Sequence, residues 1–196
     1  MTMTISNGPW IAEVGWSEAT GVLKEAYDWQ AERLGEPTEF TVLGSLYPEL
    51  VLERLRLYKV VESCPSGLRP VERLLAALVA SSLNDTPHCL SGLRVRLATE
   101  GADPDLVAAV LAHPSHHPTG DNRIDAAVAY AEKLTTTPSS IAESDIEALR
   151  AAGFDDLEIL DLNNMVAYFN YVNRVANGLG LRSEIPTEHA LRAAPR

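Results

Sequence analysis

No apolar run in the 196-residue chain approaches the roughly 20 residues needed to cross a bilayer. The first residues, Met1 to Pro9, carry neither a basic stretch nor an apolar core of signal-peptide type. A membrane role is therefore not expected, and a cytoplasmic location is. Cysteine is scarce: Cys64 and Cys89 are the only two, too few for a disulfide framework and expected as free thiols in a reducing compartment. Basic charge is also short, since 16 Lys and Arg against 27 Asp and Glu give a net charge of −11. That balance argues against a nucleic-acid binder, whose affinity comes from neutralising phosphates. Small molecules and copies of the chain itself are the expected partners. Long alternating strand-like runs, linkers rich in Gly and Ser, and repeats of solenoid period are all missing. The economical reading is a single domain over 1–196, with 1–16 as an N-terminal arm and 182–196 as a polar C-terminal tail.

What is present is helical periodicity in segment after segment, so the chain reads as all-α. Ser17 reads as the N-cap of a helix reaching about Leu34. Pro48 opens a helix carrying Val51, Leu52, Leu55 and Tyr58, and Ser63 to Gly67 closes it. After Pro70, the positions Val71, Leu74, Leu75, Leu78, Val79, Ser82 and Leu83 follow a helical stripe, which marks a core helix. Further helices are expected at about His88 to Thr99, Asp103 to Ala112, Asp121 to Leu134 and Ser140 to Ala151. The last, from about Asp156 to Leu179, is apolar almost all round and reads as the buried central helix, stopped by Gly178 and Gly180.

The most informative stretch is Leu83-Asn84-Asp85-Thr86-Pro87-His88-Cys89, between two apolar helices. Thr86 followed by Pro87 reads as a hydroxyl N-cap and a proline at the first helical position. Cys89 then falls in the first turn, where the helix dipole and free backbone N–H groups favour thiolate. His88 beside it is available as acid or base, although neighbouring helix positions point about 100° apart.

Several runs of the chain resemble the superfamily of alkylhydroperoxidase D and carboxymuconolactone decarboxylase, in its peroxidase-related branch. The resemblance is carried by Glu18-Ala19-Thr20-Gly21, Leu23-Lys24-Glu25, Ser82-Leu83-Asn84, Tyr130 to Thr135, Ile146 to Phe154, and the run Tyr168-Phe169-Asn170-Tyr171-Val172-Asn173-Arg174-Val175-Ala176. It implies an all-helical, multi-helix fold that assembles as a homo-trimer or hexamer. It also implies a site built on a Cys-x-x-Cys pair, a following His and an upstream Glu, positions that correspond here to Thr86, Cys89, Leu93 and Leu74. The motif is thus degenerate. Glu72 lies two residues from the Glu position, which on a helix turns the side chain by about 200°. A dithiol cycle needs a second thiol in reach, and Thr86 cannot supply it. The two leucines also make the surroundings apolar, which opposes the helix terminus by raising a buried thiol's pKa.

The expected site is therefore Cys89 and His88, in a pocket with Leu74, Thr86, Leu93 and Asn84, and no cofactor or metal is called for. His113, His116 and His117 read as a solvated loop rather than a metal centre. Asn163, Asn170 and Asn177 recur every seven residues and with Arg174 form a polar stripe, expected to hydrogen-bond to neighbouring helix ends or to another subunit. Trp10, Trp16 and Trp29 are expected to anchor the N-terminal segment. Cys64 would replace the missing thiol only if the fold brought it beside Cys89. Three functions follow. The first is a diverged enzyme for a small, largely apolar organic substrate; the second is a one-Cys peroxidase using an external thiol; the third is a non-catalytic ligand-binding or scaffold protein.

Overall fold

A computed structural model describes residues 9–112 and 119–185. Within them the chain forms α1 (Gly21–Leu34), α2 (Glu39–Leu43), α3 (Pro48–Glu62), α4 (Pro70–Leu83), α5 (Pro87–Thr99), α6 (Pro104–Ala112), α7 (Asn122–Thr136), α8 (Glu143–Ala151) and α9 (Asp156–Gly178), with no strand among the described residues. The prolines at 48, 70, 87 and 104 each occupy the first helical position, where a missing N–H goes unused. Two starts differ from the pattern-based expectation. Ser17 lies inside a short 3-10 turn, Trp16–Glu18, and α1 begins only after Thr20, whose side chain makes no cap. Ser140 likewise ends a 3-10 turn, and α8 begins at Glu143. The five-residue α2, capped by the Thr38 hydroxyl on the Thr41 N–H, was not expected at all.

The core is built around α4 and α9. Every residue from Leu74 to Ser81 is buried, and α4 packs against α5, α6, α7 and α9. Alanines at 76, 77 and 80 keep those neighbours close, while Leu75 and Leu78 fill the space between them. Each such leucine contributes roughly 1.5–3 kcal/mol on burial. The long α9 contacts α3, α4, α7 and α8, and Leu162, Met165, Val166 and Phe169 are buried along it. A capping box fixes its start: Asp155 accepts from the Glu158 N–H at 2.8 Å and Glu158 accepts from the Asp155 N–H at 2.8 Å.

Both ends of the described chain are tied down. The Trp10 N–H donates to the Leu179 carbonyl at 2.9 Å, and its ring lies against Gly180, where a Cβ would come within 2.4 Å of the indole. Gly180 also has φ +81, a left-handed conformation open to glycine. Residues 182–185, the start of the expected polar tail, lie on α5. The Ile185 N–H donates to the Ser91 hydroxyl at 2.8 Å, and Ile185 rests on Gly92, where a side chain would leave it no room. The remainder of the expected arm and tail, and His113, His116 and His117, lie outside the described residues.

Candidate active site

The α4–α5 turn is made by Asn84 and Asp85, the latter at φ +48, a conformation that Asp tolerates better than most residues. Thr86 is fully buried at the helix start, yet its hydroxyl does not cap α5. It turns instead toward the Asn84 carbonyl at 3.4 Å and accepts from Asn177 Nδ2 at 3.0 Å. Asn177 also donates to the Asn84 carbonyl at 2.6 Å, and Asn84 Nδ2 donates to Asn170 Oδ1 at 2.9 Å. Further along the stripe, Asn170 donates to Thr135, Asn163 accepts from the Tyr130 hydroxyl, and the exposed Arg174 donates back to Asn170. One member was not expected: Asn173, fully buried, pairs with Ser81 at 3.2 Å. Asn84, Asn170, Asn173 and Asn177 therefore lash α9 to α4 and to the turn that presents His88 and Cys89.

These two residues open on a cavity of about 360 Å³ enclosed by α1, α3, α5 and α9, a size suited to a small ligand. Cys89 and Leu93 form one wall. In the same lining Tyr58 stacks on Tyr168 with ring centroids 5.1 Å apart at 19°, and Phe169 meets Tyr168 edge-on at 5.9 Å. Trp29 completes the rim, with the Lys59 ammonium 5.6 Å from its ring. Of the expected pocket residues, only Leu93 joins His88 and Cys89 in these walls. Leu74 is 2% exposed within the core, and Asn84 and Thr86 belong to the amide network behind the turn. The aromatic wall was not anticipated, because its members come from helices far apart in sequence.

Of the two influences on Cys89, burial pushes the thiol up to about 12, so it is neutral at pH 7. His88 is 4% exposed. Its Nδ1 lies 3.2 Å from the Ser183 carbonyl and 3.8 Å from the Glu39 carboxylate. A carbonyl only accepts, so this geometry assigns the neutral-ring proton to Nδ1 and leaves the Nε2 lone pair free. Burial lowers the His88 pKa, opposed by the Ser183 contact and by Glu39. At the far end of the cavity, Arg96 pairs with Glu62 and donates to the Tyr58 hydroxyl at 2.7 Å, and Arg33 reaches the same carboxylate at 3.2 Å. Burial raises the Tyr58 phenol, which stays protonated.

Cys64 does not approach Cys89. Its carbonyl accepts from Arg73 near the start of α4, whereas Cys89 follows the end of that helix, on the order of 15 Å away along the axis. A disulfide needs Cα atoms within about 7 Å, and both thiols are free. Glu72 is equally remote in role. It is fully buried at the third position of α4, bound to Arg69 and Arg123. Among the described residues no group of His, Cys, Asp and Glu is arranged to hold a metal ion, and no helix is long and apolar enough to cross a membrane.

No family model and no curated protein matches the chain. Solved structures do. A peroxidase-related protein from Ralstonia eutropha JMP134, described as an alkylhydroperoxidase AhpD core, superposes with a TM-score of 0.79 at 19% identity over 96% of this chain and 98% of its own. A peroxidase-related protein from Silicibacter sp. TM1040 gives 0.74 at 25% identity over 89% and 93%. The debrominase Bmp8 gives 0.72 at 16% identity over 96% and 98%, and a cysteine-to-alanine variant of it has been solved with 2,3,4-tribromopyrrole. The chain has the alkylhydroperoxidase D-like fold, in agreement with the resemblance read from its sequence.

Proposed function

We propose that the protein is an enzyme acting on a small, largely apolar organic substrate in the Cys89 cavity, without a two-thiol peroxidase cycle. The observation that carries this reading is the cavity itself: an aromatic wall lines it together with His88 and Cys89, and Cys64 is far out of disulfide reach. A neutral thiol is a poor nucleophile toward peroxide, because the thiolate is the reactive form. A histidine held unprotonated, with its Nδ1–H fixed on Ser183 and its Nε2 lone pair open, is suited to take a proton. The reaction class is therefore proton transfer, with His88 as base and the Cys89 thiol as a weak donor beside it. The likeness to a debrominase supports a small organic substrate, since that protein's variant holds a brominated pyrrole.

Two measurements test the reading. Cumene hydroperoxide with dithiothreitol is expected to disappear no faster with the natural protein than with Cys89→Ser; Cys89-dependent consumption would restore the one-Cys peroxidase. In D2O, a panel of small apolar ketones and lactones is expected to gain deuterium with the natural protein and not with His88→Asn. Binding of those compounds with no exchange at all would leave a ligand-binding protein in place of the enzyme.

A further inference from the structure

We propose that Arg54 is the anion-recognising residue of this cavity and that its ligand is a small apolar monocarboxylic acid, held with the carboxylate on Arg54 and the body against the aromatic wall. The proposal rests on the reading of the cavity as the substrate site and names the chemical class that the site takes.

Arg54 stands in the cavity wall, on the same stripe of α3 as Val51, Leu55 and Tyr58, where an apolar side chain would be expected. Its guanidinium is positioned from two sides. Nη2 donates to the fully buried Thr41 hydroxyl at 2.8 Å. The Phe40 ring lies beneath it at 4.6 Å. Both partners are neutral, and no carboxylate among the described residues pairs with it. An arginine oriented by neutral groups keeps its full charge and most of its N–H donors for something else. The bond to Thr41 takes one donor of five.

The charge around it points the same way. The cavity walls carry Arg33, Arg54, Lys59 and Arg96 against Glu36 and Glu62, an excess of two positive charges in a chain whose net charge is −11. Arg33 and Arg96 share Glu62, so the excess is concentrated at Arg54 and Lys59. A cavity of opposite sign to its own protein attracts anions from solution. The remaining walls are Leu93, Tyr58, Tyr168 and Phe169, which offer nothing to a strongly hydrated dianion and a good surface to an apolar body. A single guanidinium fork matches one carboxylate. Arg54, Tyr168 and Cys89 line the same cavity, so an acid bound at Arg54 shares that space with the Cys89 thiol.

Calorimetry tests this with 3-phenylpropanoate, phenylacetate and the neutral amide of each acid, on the natural protein, Arg54→Gln, Arg54→Lys and Leu93→Trp, each checked for helicity by circular dichroism. Arg54 has no buried carboxylate to leave unpaired, so Arg54→Gln is expected to fold. The acids are expected to bind at least roughly ten-fold more tightly than their amides, as a charge-assisted hydrogen bond allows. Arg54→Gln should abolish that preference and Arg54→Lys should keep part of it. Equal binding of acid and amide, or a preference that survives in Arg54→Gln, overturns the proposal. If acid and amide bind alike and Leu93→Trp blocks both, the Arg54 assignment fails while the cavity stands as the site. If Leu93→Trp changes nothing, both readings fall together.

Discussion

Two clusters of arginines are built from the same residue types and behave in opposite ways. At the starts of α4, α7 and α9, Arg69 and Arg123 meet three carboxylates. Arg123 binds Glu72 at 2.8 Å and Glu158 at 2.8 Å and stacks on Phe154 at 4.0 Å, while Arg69 joins Glu72 to Asp121. Asp121 and Glu158 serve as well in the caps of α7 and α9. Every charge there is answered, and three helix starts are tied together. Around the cavity, cations outnumber carboxylates and one guanidinium leans only on neutral groups. Saturation signals a structural joint; a surplus of charge beside a void signals recognition.

The largest effect should come from breaking the saturated cluster. Glu72→Ala removes the buried acceptor shared by two arginines, leaving Arg69 with Asp121 and Arg123 with Glu158 as their remaining carboxylates, for an expected loss of about 2 kcal/mol in urea unfolding. Burial works to raise the Glu72 carboxyl, but the hydrogen bonds from Arg123 and Arg69 outweigh it and hold it below its usual value. The stability it supplies is therefore present above the ordinary glutamate range near 4.3 and is lost as pH falls below it. The variant's stability should be flatter than the natural protein's at acid pH.

Next comes His88, whose lowered pKa means that the unfolded chain takes up a proton the folded chain resists. Stability should be intact above the unperturbed value of about 6.5 and decline as pH falls through it. Thermal melts of His88→Asn, whose amide can still donate to Ser183, should show a smaller drop between pH 7.5 and 5.5. Equal drops would mean that His88 takes up its proton as readily folded as unfolded.

Arg54→Gln should lower unfolding stability by only about 1 kcal/mol, the cost of its hydrogen bond to Thr41, since the side chain takes part in no ion pair. A loss comparable to that of Glu72→Ala would erase the distinction between the clusters. Smallest of all is the reactivity of Cys89. With the thiol pushed up to about 12, roughly one molecule in 10⁴ carries thiolate at pH 8. In a Cys64→Ser background, iodoacetamide should label Cys89 far more slowly than free cysteine, and rapid labelling would show that the helix terminus prevails over burial.

Much of the fold could be read from the sequence because proline at the first helical position and a sustained apolar stripe are local signals. Pro70 with Leu74, Leu75 and Leu78 is the clearest case. The five residues of α2 are too few to display a period, and they escaped. The site was legible only where it too is local. The α4–α5 turn announces Cys89 and His88, but the aromatic wall is assembled by packing α3 against α9, and no spacing along the chain encodes that. Arg54 did leave a trace, as a cation set in the stripe Val51, Leu55 and Tyr58. Leu74 misled because it stands at the position of the upstream Glu that the resemblance implies, and Asn84 because it adjoins the turn; packing places the one in the core and the other in the amide network, not in the cavity.

One indole stands apart from the other two. Trp10 covers Gly180 and Trp16 donates to Asp28, both away from the cavity, whereas Trp29 lies in its rim beneath the Lys59 ammonium. A ligand filling the cavity lies in the space that the Trp29 ring lines and alters the field of the nearby cation. The molecule thus carries its own optical gauge of occupancy: emission from a single tryptophan reports filling of the cavity with no added dye, and Trp10 and Trp16 provide a constant background.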